Sequence, residues 1–121
     1  MAQTKRKHES VMAFQRADEL ARAVFKVTRG FPPQESTLRT RLRAQAVTVP
    51  SRVAAAVSAS GKEERLSLLK EAIVAAKEVD YAVSLAASLG YFKKQETASK
   101  LGNLAGEVAG LVTDFRDSLS L

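Results

Sequence analysis

The stretch SGKEERLSLLKEAIVAAKEVDYAVSLAASLG, residues 60–90, decides the fold. Leu68, Leu69, Ala72, Ala75, Ala76, Val79, Ala82, Val83, Ala86 and Ala87 recur at three- and four-residue spacing, which predicts one long helix. Ser60-Gly-Lys-Glu63 fits a capping box that opens it, with the hydroxyl and the carboxylate each satisfying a free amide. Gly90, following Leu89, predicts a left-handed stop. On a helical wheel the apolar arc covers more than half the circumference, leaving a narrow polar strip of Glu63, Lys70, Lys77 and Ser84. A helix that apolar is buried on two sides, so it belongs among other helices.

The flanking sequence supplies them. From Gln95 to about Ser118, Leu101, Leu104, Val108, Leu111 and Phe115 follow a 3-4-3-4 rhythm, the pattern of a bundle seam. Upstream, Phe14, Ala17, Leu20, Ala21, Val24 and Phe25 predict a helix over about 10–29 that Gly30-Phe31-Pro32-Pro33 ends. Between them, Leu38, Leu42, Ala46, Val49, Val53 and Val57 form a stripe over about 35–59. Pro50 interrupts that stripe and deletes the amide that would bond the Ala46 carbonyl, so a kink or two shorter helices are expected. No strand pattern is present. The expected fold is all-α, an antiparallel up-down four-helix bundle, with residues 1–9 a flexible basic tail and 10–121 a single domain.

Composition removes most chemistry. The 121 residues contain no Cys and one His, at position 8, which excludes thiolate zinc sites and leaves no basis for a Ser-His-Asp triad or a histidine metal site. Glu78 and Asp80 point to different helical faces, Glu63 and Glu64 suit a helix start, and Asp114 and Asp117 have no His or Cys beside them. Gly102-x-x-x-Gly106-x-x-x-Gly110 lacks the Lys-Ser/Thr ending of a phosphate loop. No catalytic residue, metal or cofactor is expected, and the chain is read as a non-enzyme. With neither a membrane span nor a signal peptide in the pattern, a cytoplasmic location is expected.

Charge carries the functional reading. The net charge is +6, and residues 1–60 hold eleven Lys and Arg against four Asp and Glu, a balance of +7, while 61–121 balance at −1. Arg22, Lys26 and Arg29 form a stripe on the first helix, with Asp18 placed to pair Arg22. On the second, Arg41, Gln45, Thr48 and Arg52 share one polar edge, and Arg39 and Arg43 form the opposite one. Guanidinium forks suit phosphates, so Arg22, Lys26, Arg29, Arg39, Arg41, Arg43 and Arg52 are the expected RNA- or DNA-binding residues, on one contiguous surface. Phe14, Phe25 and Phe31 are read as core. Three mid-helix glycines, each costing about 1 kcal/mol relative to Ala, need a reason, and close approach of another helix supplies one. Gly102, Gly106 and Gly110 are therefore expected either in close packing inside the monomer or at a homo-oligomer interface, the latter together with Ala72, Val79 and Val83 of the broad apolar helix.

Beyond these patterns, Phe14-Gln-Arg-Ala-Asp-Glu-Leu-Ala-Arg-Ala-Val-Phe25 and Thr28-Arg-Gly-Phe-Pro32 resemble the opening of the four-helix-bundle proteins encoded by intervening sequences of bacterial 23S rRNA genes. Leu42-Arg-Ala-Gln-Ala-Val-Thr-Val-Pro-Ser-Arg-Val-Ala54 resembles that family's second-helix motif with its internal Pro, and Glu78-Val-Asp-Tyr81 with Leu89-Gly-Tyr-Phe92 resembles its third-helix ending. Arg52, Ala55 and Ala56 depart from it, standing where the family has Asn, Glu and Gly. The resemblance implies a ring-like homopentamer and no assigned activity. A fold-related branch, the accessory variability proteins of diversity-generating retroelements, implies a second reading: an interaction scaffold or accessory subunit of a reverse transcriptase-type enzyme, with an exposed apolar patch beside the basic one.

Overall fold

In the computed structural model, which describes residue 8 and residues 11–120, four helices account for nearly all of the described chain and no strand occurs among these residues. They are α1 (Met12–Thr28), α2 (Ser36–Ser58), α3 (Lys62–Ser88) and α4 (Gln95–Ser120). Each packs on its neighbours in chain order, and α4 closes the square against α1. The short connections make successive helices antiparallel. Among the described residues, no helix is long and apolar enough to cross a membrane. The basic cluster Lys5-Arg6-Lys7 lies outside the described residues, whereas the His8 ring meets Phe14 edge to face at 4.6 Å.

The core is made of small aliphatic residues: Leu20 and Val24 from α1, Leu42, Val49 and Val53 from α2, Leu69 and Val79 from α3, Val108 and Val112 from α4. Phe31 is its one fully buried ring, clasped edge to face by Tyr91 at 5.6 Å and Phe92 at 5.2 Å, so the α1–α2 and α3–α4 loops meet at one end. Phe14 is half-buried against the core, but Phe25 departs from the expected core position and is 39% exposed. The α2 helix runs unbroken through Pro50, which is itself buried, so the stripe is one helix and not two.

Helix ends follow backbone chemistry. Gly90 has φ +79°, the Tyr91 amide donates to the Ala86 carbonyl and the Gly90 amide to the Ala87 carbonyl, both at 3.0 Å, the paired bonds of a Schellman stop. The expected capping box does not form. Gly61, extended at φ −109°, is the N-cap of α3 and makes no side-chain cap. Ser60 therefore sits one residue too early for its hydroxyl to reach the first turn, and Arg65 instead ties the connection by donating to the Ala59 carbonyl at 2.8 Å.

Candidate nucleic-acid interface

The four arginines of α2 divide between its two sides because they flank the apolar stripe. Towards α1, Arg43 Nε donates to Thr28 Oγ1 at 2.8 Å, and its guanidinium carbon stands 5.0 Å from the Phe25 ring centroid. Thr28 is fully buried and its hydroxyl donates to the Val24 carbonyl at 2.7 Å. Arg39 reaches back to the carbonyls of Pro32 and Pro33, each at 3.3 Å. These two arginines hold the α1–α2 corner. On α1, Arg22 and Arg29 stand three and four residues from Phe25 and share its side of the helix. Arg22 pairs with Asp18 at 2.9 Å, as the i, i+4 spacing predicts.

Towards α3, the expected edge of Arg41, Gln45, Thr48 and Arg52 lines two adjoining clefts. One of about 440 Å³ has Leu38, Arg41, Gln45, Val74, Glu78 and Tyr81 among its walls, so a carboxylate shares the cleft with Arg41. The next, about 520 Å³, continues past Gln45 to Thr48, Arg52, Lys70 and Glu71. Arg52 approaches Glu71 at 2.6 Å, though its Nε–H is not aimed along that line and forms no aligned hydrogen bond. Gln45 Oε1 is likewise buried with no donor. Val74 and Tyr81 are 48% and 68% exposed, an apolar patch beside Arg41. Of the family departures, Arg52 thus occupies an ion pair across α2 and α3, Ala55 is exposed, and Ala56 is in the core.

The expected surface is thus divided on α2, with Arg39 and Arg43 at the α1–α2 corner and Arg41 and Arg52 on the α2–α3 side. On α1, Lys26 continues the stripe of Arg22 and Arg29 by its spacing. It lines a third cleft with the α3–α4 loop, beside Lys93 and Lys94, residues that no helical periodicity marks because they stand outside a helix. Among the described residues, no carboxylate lies within 4.0 Å of the cationic groups of Lys26, Arg29 or Arg41.

Sequence reading also missed Arg16. Its Nε and Nη2 donate to the two Glu107 carboxylate oxygens at 2.8 Å each, and it bonds Glu19 as well, joining α1 to α4. The hydrogen bonds from Arg16 hold the Glu107 carboxyl below the usual carboxylate range. Ninety-one residues separate the pair, so no local spacing announces it.

The small-residue positions divide as well. Ala72, Val79 and Val83 are 0%, 0% and 2% exposed within the protomer, where α2 and α4 consume the broad apolar face of α3. Their expected place at an oligomer interface is thus replaced by packing within the protomer, where the width of the face is used. Gly106 and Gly110 are open, with no heavy atom within 4 Å of where a Cβ would stand, whereas one at Gly102 would meet Asp80 Oδ1 at 3.3 Å. Gly102 and Gly106 line a cleft of about 490 Å³ against Asp80, Val83 and Ser84 of α3. No group of three or more His, Cys, Asp or Glu placed to hold a metal ion occurs among the described residues.

Comparison with known proteins bears on both fold and family. The bundle is similar to the crystal structure of a protein of unknown function from the S23 ribosomal protein family of Bacteroides thetaiotaomicron, with a TM-score of 0.81 at 14% identity, covering 93% of this chain and 99% of that one. At that identity the likeness shows the four-helix fold. No curated protein matches the sequence. The model of the family described as 23S rRNA-intervening sequence protein matches residues 9–114. Neither description names an enzymatic activity. With that match spanning almost the whole described bundle, the chain belongs to the 23S rRNA-intervening sequence protein family.

Proposed function

We propose that this protein is a non-enzymatic, homo-oligomeric nucleic-acid-binding bundle that contacts phosphates through α1 and α2. The observation that carries the reading is the set of cations with no carboxylate within 4.0 Å among the described residues, Lys26, Arg29 and Arg41, on a chain whose first sixty residues balance at +7. Arg22 and Arg52 add charge that their carboxylate partners partly offset, and Arg39 and Arg43 contribute mainly by fixing the corner. A closed ring of such chains multiplies the field: five copies at +6 carry +30. Gly106 and Gly110 are the proposed contact with the next copy, since the protomer itself gives their bare backbone no neighbour.

A salt titration of binding to structured RNA and to duplex DNA tests this. Phosphate contacts make log K fall linearly with log salt, with a slope of about −0.9 per contact on duplex DNA. Arg29→Ala and Arg41→Ala should each flatten that slope. A wild-type chain that binds neither polymer at low salt refutes the reading.

The exposed patch of Val74 and Tyr81 beside Arg41 favours a second reading, an interaction scaffold or accessory subunit for a nucleic-acid enzyme. Tyr81→Ala separates the two: it should spare nucleic-acid binding and abolish association with a protein partner.

A further inference from the structure

Where the loop between α3 and α4 passes the end of α1, a cleft of about 330 Å³ is lined by Lys26, Val27 and Gly30 on one side and by Tyr91, Phe92, Lys93, Lys94 and Thr97 on the other. Three ammonium side chains therefore border one small concavity. Lys93 lies across Gly30, its Cε 3.8 Å from where a Cβ would stand, so its stem forms part of the wall. Among the described residues none of the three has a carboxylate within 4.0 Å. Of the nearby acids, Glu96 pairs with Lys100 at 3.0 Å, and Glu35 lies beside the Tyr91 phenol, on which burial and that carboxylate oppose ionisation. The α1 carbonyls that end beside the cleft are occupied, that of Val27 by the Gly30 amide and that of Thr28 by the Phe31 amide. The walls between the cations are apolar, with the half-buried rings of Tyr91 and Phe92 braced from behind by Phe31. The first turn of α4, whose leading amides lack intrahelical partners, starts at the next residue after Lys94.

We propose that this cleft binds the phosphate of a nucleotide, with the base against its Tyr91–Phe92 wall. Lysines that line one cleft without a paired carboxylate supply the recognition of phosphate, and the aromatic and aliphatic lining supplies that of the base. The ligand is a free nucleotide or one residue of a single strand; the same chemistry serves either. The site does not depend on the arginine surfaces of α2, with which it shares no residue.

Backbone amide shifts of the ¹⁵N-labelled full chain, at low salt, read the cleft directly. Adenosine monophosphate, an oligothymidylate and inorganic phosphate are the probes. Saturable shifts at Gly30, Lys94 and Thr97 are expected with the first, the second or both: the monophosphate identifies a free nucleotide, the oligothymidylate alone a strand. Lys93→Glu with Lys94→Glu should weaken binding at least about tenfold. Both lysines are exposed and precede a helix N-terminus that favours negative charge, so the double variant should retain its helical circular dichroism. The proposal is overturned if neither nucleotide probe gives saturable shifts there, or if the shifts survive the double reversal. Equal affinity for inorganic phosphate and the monophosphate overturns the role given to the rings.

Discussion

Thr28→Val is the sharpest probe of what the arginine edge does. The two side chains have the same shape and nearly the same helix propensity, so the change removes one hydroxyl from a fully buried site and little else. That hydroxyl accepts from Arg43 Nε at 2.8 Å and donates to the Val24 carbonyl at 2.7 Å. A hydrogen bond to a charged group contributes about 1.5–3 kcal/mol, and the half-buried guanidinium recovers part of that from water, so the loss should be about 1.5 kcal/mol. With an unfolding entropy of about 2.1 cal/mol/K per residue, this chain should melt about 6 °C lower. Arg43→Met keeps the stem and discards both the bond and the ring contact at Phe25. In a double-mutant cycle the pair should show a coupling of about 1 kcal/mol. Urea unfolding followed by circular dichroism measures all four corners. A Thr28→Val loss below about 0.5 kcal/mol, or additive singles, refutes the reasoning and returns Arg43 to the free phosphate-binding set.

Three further outcomes are expected. Gly90→Ala should cost about 1–2 kcal/mol, since the methyl meets no neighbour and the whole penalty is the positive φ; urea midpoints check it. Gly106→Ala with Gly110→Ala should raise the protomer's intrinsic stability by about 2 kcal/mol in chemical unfolding and reduce the proposed assembly to protomer mass in light scattering; a wild type already at protomer mass, or an unchanged oligomer mass, would show that the stripe is no interface. For Glu107, Arg16 lowers the folded-state pKa, so the folded chain binds fewer protons than the unfolded one. The stabilisation from that pair should be complete above the unfolded carboxyl value of about 4.3 and vanish as pH falls through the folded one. The gap in urea midpoint between wild type and Glu107→Gln should accordingly be present at neutral pH and close in acid.

Pairs and stops that live within one or two turns were legible in the residues. Asp18 and Arg22 meet because four residues make nearly one turn, Gly90 ends α3 because only glycine adopts its φ cheaply, and Arg41, Gln45, Thr48 and Arg52 fall on one edge by angle alone. The capping box failed by a single residue, since the Ser60–Glu63 spacing holds no information on where the preceding loop releases the chain.

By itself, the sequence determined four amphipathic helices, their order and approximate ends, and a positive first half. Tertiary structure alone decided which cations remain free. Arg43 is taken by Thr28, Arg52 by Glu71 and Arg16 by Glu107, and Lys26 is brought to Lys93 and Lys94 across the α1–α4 groove. It also decided that the wide apolar face of α3 closes against α2 and α4 in one chain. The physical reason is that periodicity fixes a side chain's angle about its own helix axis, whereas its partner depends on how far the neighbouring helix is rotated and slid along that axis. Those two quantities are set by the packing of the whole core.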